Sequence, residues 1–330
     1  MIPVLDVSPW RRGDFRGVDA LRTACEAVGF FVIEGHGVPV GLDAELERLT
    51  RAFFALPLEQ KLALAMARGG RAWRGYFPVG GELTSGIPDL KEGLYLGTEL
   101  EPDDERVRAG WPLHGANLFP DEVLRALRPT VLAWQQELKQ LGQVVMRGLA
   151  VSLGLGPDFF ERSLTRTPLC LFRLFHYPAP APEQSSAWGV GEHTDYGLLT
   201  LLKQDDCGGL EVKTHTGWQA VPPTPGAFVC NLGDMLDRLT GGRYRSTPHR
   251  VRNTAGRSRY SWPFFFDPGF DAEVTPLPGA SVRPAEQDAA ERWDRASVHT
   301  LSGTYGAYLT QKVSRVFPAL GEATLGTTRG

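Results

Sequence analysis

The chain has 330 residues, of which 42% are hydrophobic and 22% are charged, so it can bury a large core as one domain or as two closely packed lobes. Its net charge of -3 argues against a nucleic-acid or membrane-surface partner, because such partners normally require a clear basic excess, and a small-molecule partner is expected instead. No basic N-terminal region precedes a long apolar stretch, and the four cysteines have no CxxC spacing. These features predict a cytoplasmic protein with free, buried thiols.

The N-terminal part of the chain alternates between strand and helix patterns. Residues 2–7 and 29–34 have the short apolar pattern of strands, and residues 18–28 between them have a helical pattern. A Gly-His-Gly-Val-Pro sequence ends the second strand, and a further helix is predicted to run through Phe53. Residues 69–97 are rich in glycine and aromatic side chains, which predicts an irregular loop that forms a wall of the site.

A long amphipathic helix is predicted in the middle of the chain, ending near Gly154. Its apolar residues recur at steps of three and four, as one face of a helix requires. They are Leu127, Val131, Trp134, Leu138, Leu141, Val145 and Leu149.

Short apolar runs separated by Gly, Pro and Asp follow, and they predict an antiparallel sandwich or barrel. The predicted strands are residues 171–177, 198–202, 210–213, 227–232, 249–252 and 259–266. Because Asn253-Thr254-Ala255-Gly256 is typical of a turn, the last two runs are expected to form a hairpin with His249 and Arg259 on one face. A final helix around residues 304–309 is expected on the outside of the barrel.

Three residues have the types and spacing of a catalytic metal site. His193 and Asp195 are two residues apart on a predicted strand and so project from one face, while His249 can complete a facial triad of two histidines and one carboxylate. Such a triad suits Fe(II) with open positions, although the same ligands could hold zinc in an open site. A simpler alternative is a strand-end pair bonded to the backbone. The remaining histidines are expected to be structural: His36, His114, His176, His215 and His299.

A possible clamp for a small diacid follows the second histidine. Arg259 can grip a carboxylate with two parallel hydrogen bonds, and Ser261 on the same face can add a hydroxyl donor. Tyr177 has the strand parity to reach the same anion. The alternatives are a structural ion pair for Arg259 and a packing role for Tyr177.

The chain resembles the isopenicillin N synthase-like family of Fe(II)/2-oxoglutarate-dependent oxygenases over nearly its whole length. The motifs that carry the resemblance are Ile2-Pro3-Val4-Leu5-Asp6, Gly29-Phe30-Phe31, Gly35-His36-Gly37-Val38-Pro39, His193-Thr194-Asp195-Tyr196-Gly197, Gly208-Gly209-Leu210-Glu211-Val212, Asn231-Leu232-Gly233-Asp234, Ser246-Thr247-Pro248-His249-Arg250-Val251 and Arg259-Tyr260-Ser261.

The resemblance implies a mainly β protein with some helix. It predicts an N-terminal α/β region (1–120), a backing-helix region (121–165), a distorted double-stranded β-helix or jelly-roll core (166–275) and a C-terminal helical region (276–330). It also implies that His193, Asp195 and His249 hold Fe(II), and that Arg259, Ser261 and Tyr177 bind the C5 carboxylate of 2-oxoglutarate. One departure is Phe175, where many members carry an asparagine, so the cosubstrate pocket is drier or another residue replaces the amide.

The activity that the resemblance implies is oxidation of a small organic molecule by oxygen, through hydroxylation, desaturation or cyclisation, with release of succinate and carbon dioxide. Ascorbate is a possible reductant. Candidate substrate-contacting residues are Tyr76, Phe77, Tyr95, Leu198, Phe264 and Phe266. The alternatives are an Fe(II) oxidase that does not use 2-oxoglutarate, a zinc hydrolase and a non-catalytic 2-oxoglutarate sensor.

Overall fold

Two β-sheets carry the site in the computed structural model, which describes residues 2–181 and 187–326. The strands are β1 (Val4–Asp6), β2 (Phe30–Glu34), β3 (Gly75–Phe77), β4 (Leu83–Thr84), β5 (Ile87–Pro88), β6 (Glu92–Gly97), β7 (Leu169–Tyr177), β8 (Val190–His193), β9 (Leu199–Gln204), β10 (Leu210–Thr214), β11 (Gly217–Val221), β12 (Phe228–Leu232), β13 (His249–Val251) and β14 (Arg259–Asp267). The helices are α1 (Val18–Ala27), α2 (Val40–Phe54), α3 (Leu58–Leu62), α4 (Glu105–Arg108), α5 (Leu127–Ser152), α6 (Phe159–Ser163), α7 (Asp234–Leu239), α8 (Ala285–Glu291), α9 (Tyr305–Val316) and α10 (Pro318–Leu325), with short 3-10 helices at Trp10–Arg12 and Met66–Ala72.

The major sheet has eight strands in the order β1-β2-β12-β9-β14-β7-β6-β3, and the minor sheet has four in the order β11-β10-β13-β8. Among these described strands only the β1–β2 pair is parallel, as expected for two strands joined through helix α1, and the other pairs are antiparallel. Strands β4 and β5 form a separate two-stranded ribbon. This arrangement confirms the predicted jelly-roll core with an N-terminal α/β region.

Helix α5 supports the outer face of the major sheet. Its buried residues include all seven of the predicted apolar stripe, and it packs on α1, α2, β9 and β14. Gly142 gives the close approach to the sheet, because a Cβ there would lie 2.5 Å from the Phe266 ring. The predicted backing helix is therefore confirmed in place and in length. No helix among the described residues has the length and apolarity needed to span a membrane.

The predicted hairpin between the last two strands is wrong, because the strands belong to different sheets. Strand β13 pairs with β8 and β10 in the minor sheet, whereas β14 pairs with β7 and β9 in the major sheet. The Asn253 amide donates to the carbonyl oxygens of Tyr177, Pro178 and Arg257, and so fixes the chain where it crosses between the sheets. The turn prediction was correct locally, but it did not determine which strands pair.

Residues 69–97 are also more regular than the sequence predicts. They contain β3 and β6, which extend the major sheet beyond β7, and the ribbon of β4 and β5. Strand β6 pairs with the nearby β3 and also with β7, which is far away in sequence, so no local pattern predicts its place in the major sheet. The predicted loop wall is thus partly a sheet edge.

Helix α9 confirms the helix predicted around residues 304–309, but α10 follows it, and α9 does more than cover the outside of the barrel. The Thr304 hydroxyl accepts a hydrogen bond from the Ala307 amide and caps its first turn. The helix then turns Leu309, Lys312 and Val313 toward the same cavity as the predicted metal ligands. Helix α9 therefore forms part of one wall of the site. Residues 327–330 of the predicted C-terminal region lie outside the described residues.

Candidate active site

The three predicted metal ligands meet at one end of the minor sheet. His193 is the last residue of β8 and His249 the first of β13, and the two are direct cross-strand partners. The Nε2 atom of each histidine lies 3.8 Å from Oδ1 of Asp195. All three donor atoms lie within 4.8 Å of one another. Two imidazoles and one carboxylate with this spacing fit a divalent iron that keeps part of its coordination sphere open.

Neighbouring groups orient each of these donors. Oδ2 of Asp195 accepts hydrogen bonds from the Asn231 amide, at 2.7 Å, and from the Thr200 hydroxyl, which leaves Oδ1 facing the histidines. Nδ1 of His193 lies 2.8 Å from the Gly191 carbonyl oxygen, and Nδ1 of His249 lies 3.2 Å from that of Thr247. Donation from both Nδ1 atoms selects the tautomer whose Nε2 lone pair points to the metal position.

The charge states match the same role. Burial and the nearby ring of His193 lower the pKa of His249 to about 4, so this imidazole is neutral at neutral pH and free to bind a cation. Burial acts to raise the pKa of Asp195, but the two histidines and the hydrogen bonds from Thr200 and Asn231 outweigh it and hold that pKa below its usual value. The carboxylate is thus ionised.

A buried guanidinium with free donors lies in the same cavity. Arg259 is 1% exposed, its Nε donates to the Gly208 carbonyl oxygen at 2.6 Å, and its Nη1 and Nη2 have no hydrogen-bond partner among the described residues. The guanidinium lies 4.6 Å from the ring centroid of Tyr177, its cross-strand partner. The hydroxyls of Tyr177 and Ser261 are 3.4 Å apart. A buried guanidinium with two unpaired nitrogens is costly without an anion, so this pocket fits one carboxylate of a small acid.

One cavity of about 420 Å³ joins the predicted metal ligands to this anion pocket. Its walls come from β4, β6–β10, β12–β14, α9 and the segment after α8. Strand β14 contributes every second residue, which is the alternation of a strand with one face toward a cavity. These residues are Arg259, Ser261, Pro263, Phe265 and Asp267.

Phe175, the departure from the family pattern, faces a buried ammonium. Nζ of Lys91 lies 5.0 Å from the centre of the Phe175 ring, and Lys91 pairs with Asp89 and, at 2.8 Å, with Glu82. The Tyr95 hydroxyl donates to Glu82. Lys91 therefore supplies a polar group to the part of the wall where Phe175 has no hydrogen-bonding atom.

Five of the six predicted substrate-contacting residues do not line this cavity, and only Tyr95 does. Phe264 and Phe266 point the other way on β14 and pack against α5, as the rings of Phe264 and Trp134 and the close approach of Phe266 to Gly142 show. Their assignment is corrected because they have the opposite strand parity to Arg259. Phe265 takes their place.

The other three misassigned residues lie behind the wall. The Tyr76 hydroxyl donates to Glu92, the Phe77 ring packs on Tyr95 and Phe175 from outside, and Leu198 is fully buried. Sequence reasoning missed Trp293, Asp294, Lys312, Val313 and Val316, which form the C-terminal side of the cavity. The amphipathic pattern of α9 was the available signal, but it does not say what the apolar face covers.

The chain matches two family models. The model described as the N-terminal region of the non-haem dioxygenase in morphine synthesis matches residues 2–122, and that of the 2OG-Fe(II) oxygenase superfamily matches residues 168–268. A probable iron/ascorbate oxidoreductase of Dictyostelium discoideum is 47% identical over 91% of this chain and 88% of its own length. A 1-aminocyclopropane-1-carboxylate oxidase of Dictyostelium mucoroides is 35% identical over 96% of this chain and 95% of its own. The crystal structure of a full-length Neurospora crassa protein in complex with alpha-KG matches with a TM-score of 0.78 at 28% identity, over 95% of this chain and 96% of that one.

Fold, site and relatives together define a class of protein, the non-haem iron oxygenases. The chain belongs to the 2OG-Fe(II) oxygenase superfamily, which confirms the resemblance seen in its motifs. It is an Fe(II)- and 2-oxoglutarate-dependent dioxygenase that acts on a small molecule.

Proposed function

We propose that His193, Asp195 and His249 hold the Fe(II) of this oxygenase, and that Arg259, Ser261 and Tyr177 bind the distal carboxylate of 2-oxoglutarate. One observation carries the assignment: two unpaired, buried guanidinium nitrogens share a cavity with three clustered metal-binding atoms. Iron needs the clustered donors, and a dicarboxylic cosubstrate needs a cation at a distance from them. The bound iron, with 2-oxoglutarate and oxygen, supplies the oxidising power, and succinate and carbon dioxide are released.

The chain's own residues position the reactants and keep water away. Asn231 and Thr200 hold Asp195 so that one oxygen stays directed at the metal position. The Arg259 fork and the two hydroxyls hold the cosubstrate at its far end. Most residues of the wall around the metal ligands and Arg259 are buried, which strengthens these electrostatic contacts and limits side reactions with solvent.

The rest of the cavity fits a small, largely apolar organic substrate. Apolar wall is supplied by Tyr95, Phe175, Phe265, Val313 and Val316. The charged side chains of the described lining, apart from Arg259 and the exposed Arg315, already have polar partners inside the protein. Examples are Lys91 with Glu82 and Lys312 with Asp294, at 2.8 and 2.9 Å. A strongly charged substrate would therefore find few unpaired groups to neutralise it.

The test measures succinate from purified protein supplied with Fe(II), ascorbate, oxygen and 2-oxoglutarate. Wild type, His249→Ala and Arg259→Ala are compared with Arg250→Ala, a control outside the cavity whose guanidinium pairs with Glu211. We expect succinate from wild type and the control, none from His249→Ala, and formation by Arg259→Ala only at high 2-oxoglutarate.

Two results would contradict the proposal. Substrate oxidation without succinate would indicate an Fe(II) oxidase in which Arg259 grips the carboxylate of the substrate itself. Tight 2-oxoglutarate binding without turnover of any substrate would instead indicate a non-catalytic 2-oxoglutarate sensor.

We further propose that the protein is cytoplasmic, has no nucleic-acid partner and acts as a monomer. The net charge of -3 supports the second point. The division into regions 1–120, 121–165, 166–275 and 276–330 is also a proposal, and it rests on the family resemblance of the motifs. Strands from the first and third regions share the major sheet.

A further inference from the structure

A second cluster of metal-binding side chains lies outside the cavity, between α7 and the C-terminal segment. Asp237 is on α7, Asp288 is on α8, and His299 is in the loop that precedes α9. One potential ligand atom from each lies within 4.8 Å of the other two. None of the three lines the cavity of the active site. The cluster is therefore separate from the iron position.

Four polar side-chain atoms of this cluster have no hydrogen-bond partner among the described residues. They are Oδ1 of Asp237, Oδ1 of Asp288 and both ring nitrogens of His299, all buried. The three side chains are 1%, 1% and 2% exposed. Buried polar groups in native proteins are almost always paired, so four unpaired atoms in one place indicate a missing partner.

The second oxygen of each carboxylate is held by the protein. Oδ2 of Asp237 accepts from the Ser246 amide at 2.9 Å, and Oδ2 of Asp288 accepts from the Ser297 hydroxyl and the Val298 amide at 2.8 and 3.1 Å. Asp195 of the iron site has the same arrangement, with one oxygen fixed by neighbours and the other free. Fixing one oxygen in this way orients the other toward a ligand.

The distances resemble those of the iron site. Oδ1 of Asp237 lies 3.6 Å from Nε2 of His299, close to the 3.8 Å between Asp195 and each of its histidines. Ligand atoms at bond lengths of about 2.1 Å from a tetrahedral ion lie roughly 3.4 Å apart. The observed separation is thus near that of two ligands on one ion.

The local charge leaves room for a cation. Asp234 pairs with Arg292, whose Nη1 lies 3.7 Å from both Asp237 and Asp288, so one guanidinium faces three carboxylates. Three other arginines are nearby but engaged elsewhere: Arg238 donates to the carbonyl oxygens of Val274, Val298 and Leu301, and Arg245 and Arg283 both pair with Glu291.

We propose that Asp237, Asp288 and His299 form a second divalent-cation site, distinct from the iron site, that takes Zn²⁺ with a water as the fourth ligand. Zinc accepts this mixture of carboxylate oxygen and imidazole nitrogen. The ion ties α7 to α8 and to the 297–299 loop. Trp293 and Asp294 of the cavity wall lie between these two attachment points. The bound ion thus holds the C-terminal cover of the active site in place.

The experiment counts zinc bound to the full-length protein by elemental analysis, after removal of metals with a chelator and dialysis against a small excess of Zn²⁺. Wild type, Asp195→Ala, His299→Ala and the double variant are compared, because zinc also occupies vacant iron sites. We expect about two, one, one and no equivalents in that order. Cys207→Ser is the control, since it removes a ligand from the Asp205, Asp206, Cys207 cluster, where Asp206 is exposed and pairs with Arg257. This control should still bind two.

A thermal-unfolding series gives a second measurement. Zinc at about a hundredfold excess over its dissociation constant should raise the Tm of Asp195→Ala by on the order of 5 °C, and should leave the double variant unchanged. One equivalent in wild type, lost entirely in Asp195→Ala, would overturn the proposal and leave a metal-free polar cluster filled by water. An equivalent that persists in the double variant would overturn it as well.

His299→Cys keeps the test decisive if His299→Ala does not fold. A thiolate at this position remains a metal ligand, and Co²⁺ bound to it gives an absorption band from sulfur-to-cobalt charge transfer. We expect this band in Asp195→Ala/His299→Cys. Its absence in folded protein with added Co²⁺ would contradict the site.

Discussion

The cavity has two walls that differ in how their residues are distributed along the chain. The wall that we propose binds the cofactors, the cofactor wall, uses pairs two residues apart in or next to strands, as in His193 and Asp195 or Arg259 and Ser261. The substrate wall combines the ribbon of β4 and β5 with the C-terminal segment and α9, more than 200 residues away. Binding a metal and a carboxylate requires particular residue types at particular spacings on the first wall. The second wall only has to match the shape of the substrate, which many different residues can do. Residues of the first wall can therefore be predicted from a sequence, whereas those of the second cannot.

The largest expected effect tests the cofactor wall at its metal end. Asp195→Ala removes the only carboxylate of the proposed triad, and we expect succinate formation to fall by more than about 100-fold. Loss of a group that merely orients a ligand already costs about 10- to 100-fold. Turnover and bound iron are measured together. The control is Asp206→Ala, which changes an exposed aspartate and should leave both turnover and bound iron unchanged. An Asp195→Ala variant that is active and binds iron would contradict the assignment of Asp195 to the cofactor wall.

Two neighbouring residues of β14, Phe264 and Phe265, test which face of the strand lies in the core and which lines the cavity. Phe264→Ala should lower the free energy of unfolding by about 3–5 kcal/mol, because its ring packs in the core against Trp134. Phe265→Ala should cost less and should alter which substrates are accepted. Denaturant unfolding and a substrate screen measure the two effects. Equal loss of stability with unchanged substrate preference would argue against the assigned faces.

Loss of a residue that orients a proposed metal ligand should have a smaller effect than loss of the ligand itself. Asn231→Ala removes the amide that fixes Oδ2 of Asp195, and we expect the affinity for Fe(II) to fall by about 10- to 100-fold. The comparison is Asn253→Ala. The buried Asn253 side chain donates from Nδ2 to three backbone carbonyl oxygens, those of Tyr177, Pro178 and Arg257, and these lie outside the proposed metal site. That variant should lose stability but keep its iron affinity. Iron titration of both variants decides.

The smallest effect concerns the substrate wall. Lys312→Met breaks the ion pair with Asp294, and since such pairs contribute about 1 kcal/mol or less, KM for the substrate should change by about fivefold at most. KM for 2-oxoglutarate should not change. Lys203→Met is a matched control, because Lys203 is equally buried, pairs with Asp43 and lies outside the cavity. A change in KM for 2-oxoglutarate would mean that the two walls are not separate.

Local chemistry made much of the fold predictable, together with the meeting of the proposed cofactor-binding residues in one cavity. The period of α5, the turn at residues 253–256 and the two-residue spacings of His193 with Asp195 and of Arg259 with Ser261 are each contained in short stretches of chain. Pairing of β13 and β14 depends instead on strands β7 to β10, which no local signal specifies. The hairpin prediction failed for that reason.

The error at Phe264 and Phe266 had a different origin. Once Arg259 and Ser261 are assigned to the cavity, alternation along the strand directs Phe265 inward and its neighbours outward, so the information was available. No such rule reaches Trp293 or Lys312. Their place in the wall depends on how α8 and α9 pack, and this is decided by shape over long distances.

The ratio of two binding constants tests the central claim most directly. The Kd of 2-oxoglutarate and that of 2-oxobutyrate, which lacks the distal carboxylate, are measured without oxygen on Fe(II)-loaded wild type and Arg259→Ala. We predict that wild type prefers 2-oxoglutarate by about 100-fold or more, as expected for a buried charge pair, and that the variant loses most of this preference. An equal preference in both proteins would contradict the account, because the distal carboxylate would then be bound elsewhere.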